Sequence, residues 1–167
     1  MADSYVQGSF AFTCTIKEAA LIEEAWQIAN DLGCEIEPAS VTPEFLAIFP
    51  PINEDDQFSG FTAIFDDPEF PDFGAHLAVQ KLTDNSKTCS VSIYGMADFQ
   101  PDPISVLIQL CCQNSLTKAP IGFDWSFTCT RPYRDSFGGG WCAIFPDQIE
   151  FQTTRQALSK ALEGERP

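Results

Sequence analysis

The chain has 167 residues, enough for one domain and short for two; 44% of them are hydrophobic and 13% aromatic. That apolar share excludes a disordered chain despite a net charge of −15, and the longest apolar run, 104–112, is too short to cross a membrane. So anionic a chain also disfavours direct binding to DNA or RNA, which are themselves polyanions.

Residues 8–15 predict a strand, with Phe10, Phe12 and Cys14 alternating against Ala11, Thr13 and Thr15. Thr15-Ile16-Lys17-Glu18 has the form of a capping box, in which the Thr hydroxyl meets a backbone amide and Glu18 reaches back. The helix it opens runs over 16–32 on a stripe of Ala19, Ile22, Ala25 or Trp26, Ala29 and Leu32, with Gly33 as its C-terminal cap. Pro38, Pro43, Pro50 and Pro51 break regular structure across 35–58, where only 45–49 reads as a short strand. An acidic loop at 53–57 leads to a strand over 58–65, then to turns at Asp66-Asp67-Pro68 and at 71–74. Residues 75–82 and 88–94 predict a hairpin around Asp84-Asn85-Ser86.

Asp102 as cap and Pro103 as first helical residue start a helix to Ser115, burying Ile104, Leu107, Ile108, Cys111 and Cys112. Residues 122–130 carry the clearest alternation in the chain, with Phe123, Trp125, Phe127 and Cys129 on one face and Asp124, Ser126, Thr128 and Thr130 on the other. A polar loop over 131–137 and Gly138-Gly139-Gly140 lead into a strand at 141–145. A turn and a short strand at 149–151 follow, and Thr153 or Thr154 caps a last helix to Leu162. The order is β-α-β-β-β-β-α-β-β-β-α: an α+β fold, mainly antiparallel sheet with two to three helices, in one domain over 1–167. Phe-Thr-Cys-Thr recurs at 12–15 and 127–130, and Ala-Ile-Phe at 47–49, 63–65 and 143–145. These repeats admit a duplicated ferredoxin-like unit; coincidence among Phe-rich strands also accounts for them.

The seven cysteines are odd in number and form no C-x-x-C pair, and most lie in apolar runs. They read as buried free thiols of a cytoplasmic protein, not as disulfides. The start, Met1-Ala2-Asp3-Ser4, lacks the basic and apolar regions of a secretory signal.

Charge is unevenly distributed. No Lys or Arg occurs between Lys17 and Lys81, while 14 of the 24 acidic residues do. Like charges held together oppose compaction but attract cationic surfaces and speed encounter with them. Solubility alone is the plainer explanation.

Catalytic signatures are missing from the sequence. His76 is the single histidine and sits at a strand start, so every Ser-His or Cys-His arrangement would have to use it. The triple glycine is followed by no Lys-Ser/Thr and by a strand, which excludes a phosphate loop and leaves a bulge or tight hairpin entry. Cys111 and Cys112, adjacent on a helix, point apart and do not suit zinc. Asp66, Asp67, Glu69 and Asp72 offer oxygen ligands without an EF-hand pattern. Arg131 and Arg134 flank Tyr133 and Pro132 in one compact basic-aromatic segment that could hold an anion. No cofactor, metal or enzymatic role is expected.

The segment Phe123-Asp124-Trp125-Ser126-Phe127-Thr128-Cys129-Thr130-Arg131-Pro132, followed by Phe137-Gly138-Gly139-Gly140 and a strand, resembles the C-terminal segment of small phage- and plasmid-borne proteins. Their pattern reads F-E-W, then T-C-S-K-P-R, then a triple glycine. Asp124 and Thr130 depart conservatively, and Arg131 stands where a Lys usually does. The resemblance covers a quarter of the chain and carries no activity over; it implies a mobile-element origin. Combined with the charge, it leads to the expectation of an inhibitor of the anti-CRISPR or antirestriction kind. Such a protein would bind a basic nucleic-acid-binding protein or nuclease complex as a DNA mimic, through Glu54, Asp55, Asp56, Asp66, Asp67, Glu69 and Asp72. The alternative is a non-inhibitory interaction module using Trp125, Arg131, Tyr133 and Trp141.

Overall fold

A computed structural model describes residues 2–164. In chain order the elements are β1 (Ser4–Thr15), α1 (Ile16–Gly33), α2 (Pro43–Ile48), α3 (Ser59–Thr62), β2 (His76–Lys81), β3 (Thr88–Gly95), α4 (Pro101–Cys111), α5 (Gln113–Leu116), β4 (Ile121–Cys129), β5 (Gly138–Ile144), β6 (Ile149–Thr153) and α6 (Thr154–Leu162). The strands form one antiparallel sheet in the order β2-β3-β1-β4-β5-β6. The fold is thus α+β, mainly antiparallel sheet with three helices of more than two turns and three short ones.

The first four strands follow the ferredoxin-like plan: β1-α1-β2-β3-α4-β4 with β1 between β3 and β4. No second unit follows, because β4, β5 and β6 are successive neighbours with no helix between them. The Phe-Thr-Cys-Thr copies part for a local reason. Thr15 caps α1, whereas Thr130 receives the Asp3 amide on its hydroxyl at 3.0 Å and leads into a loop.

Alternation sets the two faces. Cys14, Cys89, Val91, Ile93, Ile121, Phe123, Cys142 and Ile144 turn toward α1 and α4 and are buried. The stripes of α1 (Ile22, Ala25, Trp26, Ala29) and α4 (Ile104, Leu107, Ile108, Cys111) meet them in one continuous core. Phe10 bridges the strands, stacked on Phe123 at 4.3 Å and edge-on to Phe99 at 6.4 Å. The other face carries small and polar side chains such as Ser9, Ala11, Thr13 and Gln80, with no helix over it. No helix among the described residues is long and apolar enough to cross a membrane.

Four local readings are corrected. Residues 45–49 are helical: the Thr42 hydroxyl accepts the Phe45 amide at 3.2 Å and Pro43 opens the helix. The 58–65 segment is α3 with flanking turns. Phe58, Phe61 and Phe65 recur at helical spacing, which outweighs β propensity. The 102–115 helix begins at Pro101 with Gln100 as cap, and it breaks at Cys112 into α4 and α5. Gly33 ends α1 without left-handed backbone; that conformation falls on Glu35, with φ 57°, one residue after the cap Cys34. Ala-Ile-Phe is therefore helix end, turn and strand at its three occurrences, so neighbours and not the tripeptide decide its state. At the triple glycine, Gly139 takes φ 153°, and a Cβ there would strike the Trp125 carbonyl oxygen.

Candidate functional site

The acidic interval folds as a lobe on α1. Its frame is aromatic. Phe61, fully buried, lies 5.2 Å from Phe45, 5.1 Å from Phe49 and 5.4 Å from Phe65, ring to ring. Phe65 meets Phe73 at 4.8 Å, and Phe73 stacks on Trp26 of α1 at 4.2 Å. Gly60 is required here, because a Cβ would collide with the Pro50 carbonyl. The aromatic cluster thus fixes two acidic turns, 53–56 and 66–72, on either side of α3.

All seven carboxylates expected from the sequence, Glu54, Asp55, Asp56, Asp66, Asp67, Glu69 and Asp72, are exposed. Three also shape their own turns. Asp56 accepts the Phe58 amide at 2.9 Å, Asp67 the Glu69 amide at 3.1 Å and Asp72 the Gly74 amide at 2.8 Å. Among the described residues, no donor reaches the second oxygen of any of the three. Among the described residues, the ion pairs join only Arg134 and Arg155 to Asp135, so no carboxylate between Glu18 and Asp72 is neutralised by a cation. The field reaches α4: Asp102 is raised above the usual Asp range, first by burial and then by the charge of Asp66.

Two members of the acidic run are engaged within the protein, Glu18 buried and Glu24 half-buried. Glu18 is 5% exposed and accepts the Thr15 amide at 2.8 Å, the Ser115 amide at 2.9 Å and the Ser115 hydroxyl at 2.5 Å. Burial pushes its pKa up, but the hydrogen bonds from Ser115 and Thr15 outweigh burial and hold it below the ordinary Glu value. Glu24 holds the α2 entry, accepting the Thr42 amide and hydroxyl, both at 2.7 Å. Neither is free to meet a partner. The pairing with Ser115 crosses 97 positions of sequence, and no local pattern announces it.

The alternative set does not share a surface. Trp125 pairs with Gly140, and Trp141 with Asp124, so the two indoles lie on opposite faces of the sheet. Trp125 faces Phe123 and Phe151, whereas Trp141 stands exposed on the open face. Arg131 and Tyr133 are exposed in the 130–137 loop, with the guanidinium 3.4 Å from the Tyr hydroxyl. His76 lies on the edge strand β2, exposed, with its ring 5.4 Å from that of Tyr94.

Six of the seven thiols are buried or half-buried, and Cys34 alone is exposed. Burial pushes Cys111 and Cys142 up to about 12. Cys112 is raised by its contact with Cys14 and by burial. Such thiols are neutral apolar core residues. Among the described residues, no group of three or more His, Cys, Asp or Glu is placed to hold a metal ion. Compared with protein-family models, with curated proteins and with solved structures, the chain matches none.

Proposed function

We propose that this protein is an anionic protein ligand that occupies the nucleic-acid-binding groove of a basic protein, acting in the cytoplasm as an inhibitor of a defence nuclease of the CRISPR or restriction type. The observation that carries the reading is the lobe around α3: seven exposed carboxylates in two turns, none paired with a cation, on an aromatic frame that does not need them for its core.

The physical case is one of differential cost. Carboxylates held apart from cations repel one another, and that repulsion opposes compaction. A partner lined with Lys and Arg relieves that repulsion, as it does for the phosphates of its nucleic acid. Preorganisation by the Phe cluster lowers the ordering cost that a loose acidic tail would meet on binding. The side-chain capping of Asp56, Asp67 and Asp72 serves the same end, since it fixes the direction of the remaining oxygen.

The test is competition. The protein is immobilised, a bacterial lysate containing defence nucleases is passed over it, and the bound fraction is challenged with duplex DNA. Displacement of one nuclease or surveillance complex by DNA, with inhibition of its cleavage by the soluble protein, is the expected result. Retention of a nuclease that DNA does not displace, or a nuclease whose cleavage is unaffected, rejects the proposal.

A further inference from the structure

Helix α6 is the long helix that the fold leaves unpacked. Whereas α1 and α4 each bury a face, α6 buries none of its residues, and Ala157, Leu158, Ala161 and Leu162 form an apolar stripe in water. Leu158 is 58% exposed and Leu162 79%. A helix of 9 residues without a buried face is marginal in water, because nucleation costs more than so few hydrogen bonds return. The Thr153–Gln156 capping box and the Thr154 hydroxyl, which donates to the Gly139 carbonyl at 3.2 Å, secure only its first turn.

Beside α6 lies an open groove of about 420 Å³ with Trp125 and Phe127 in its wall and Phe137, 57% exposed, at its rim. β6 is one of the two outer strands of the sheet; it carries neither Pro nor Lys, the residues that usually guard such an edge, and Glu150 is its single charge. Groove, helix and edge strand adjoin one another.

Charge selects the occupant. Residues 121–164 hold Arg131, Arg134, Arg155 and Lys160 against five acidic residues, a net −1, whereas 18–72 carries −14. A basic partner is drawn to the lobe and gains little here. A second copy, itself at −15, meets least repulsion where the charges balance.

We propose that α6, β6 and the adjoining groove form a two-fold interface with a second copy of this chain. A symmetric interface must be self-complementary, and this one can be. With two α6 helices antiparallel and Leu158 at the axis, Leu162 of each copy comes opposite Thr154 of the other, which lines the groove. Phe137, Phe151, Leu158 and Leu162 expose on the order of 400 Å² of mostly apolar side chain, and the edge of β6 with the rest of α6 brings the face toward the ~800 Å² per partner of a standard interface. The lobe packs on α1 and not on α6, so the interface leaves it accessible.

Sedimentation velocity on the full chain across the micromolar range tests this. The expected result is mass-action exchange between the chain mass and twice that mass. Because the copies repel, the dimer should tighten as salt rises, opposite to binding of a basic partner. The double variant Leu158→Glu/Leu162→Glu should sediment at the chain mass, with the sheet signal in circular dichroism retained. Should that variant fail to fold, Phe137→Ser, which leaves α6 untouched, carries the test and should raise the dissociation constant at least tenfold. A wild-type chain that stays at the single mass throughout, a dimer unchanged by these substitutions, or a dimer that dissociates as salt rises overturns the proposal.

Discussion

Replacing Glu18 by Ala should be among the most damaging single changes to an acidic residue. The carboxylate accepts three hydrogen bonds, from the Thr15 amide and from the amide and hydroxyl of Ser115, at 2.5–2.9 Å. Removing it strips the capping box from α1 and leaves two amides without an acceptor. The lost capping-box bond to the Thr15 amide costs about 1 kcal/mol and the unsatisfied Ser115 amide about 1–3, so the change should lower stability by roughly 2–4 kcal/mol. Glu18→Gln keeps one acceptor oxygen and should cost roughly half of that. The pH dependence has a definite sign. The folded pKa is depressed below the unfolded value of about 4.3, so the stabilisation is fully present above that pH and is lost as pH falls through the folded value. Urea unfolding of wild type and both variants, followed by circular dichroism from pH 7 down to pH 3, measures this. The gap between wild type and Glu18→Gln should narrow below about pH 4. A loss under about 1 kcal/mol for Glu18→Ala at pH 7, or a gap independent of pH, would show that Glu18 does not hold α1 to α5 as its hydrogen bonds imply.

Two further perturbations probe the lobe and the core. Phe61→Ala, at the centre of the aromatic cluster, should cost about 3–5 kcal/mol in urea unfolding, and Gly60→Ala should also destabilise because its Cβ meets the Pro50 carbonyl. Both should loosen the 53–72 segment in hydrogen exchange before they affect β1 or β3. In a thiol titration with an aromatic disulfide, Cys34 should react at once and the buried Cys111, Cys112 and Cys142 only on denaturation.

Much of the frame is legible in the sequence because it rests on short-range rules. The Thr15–Glu18 box, the alternation at 8–15 and 122–130 and the Asp84-Asn85-Ser86 hairpin are decided by neighbours within a few residues, and the strands and helix appear where those signals stand. Residues 45–49 and 58–65 read as strands in the sequence, although they fold as helix and turn, because Phe, Ile and Ala fit either state over so short a run. Thr42 as a cap and the three- and four-residue spacing of Phe58, Phe61 and Phe65 were the signals that favoured helix. Register lies beyond sequence reasoning. That Trp125 and Trp141 face opposite ways depends on Trp125 pairing with Gly140, which only the folded sheet fixes. The acidic residues were conspicuous as a run, yet Glu18 and Glu24 are bound internally, and composition alone cannot separate them from the exposed seven.

If the lobe's free carboxylates carry partner binding, reversing their charge must abolish it. The direct measurement is the affinity of the captured nuclease for wild type and for Glu54→Lys/Asp55→Lys/Asp66→Lys/Glu69→Lys, which spares the turn-forming Asp56, Asp67 and Asp72, by fluorescence anisotropy over a range of salt. Each exchange adds two charges, so −15 becomes −7, while the aromatic frame is untouched and circular dichroism should not change. Wild-type affinity should fall steeply as salt rises, and the variant should lose binding by at least a hundredfold, about 2.7 kcal/mol. A folded variant that binds as tightly as wild type, with the same salt dependence, would contradict that role for the lobe.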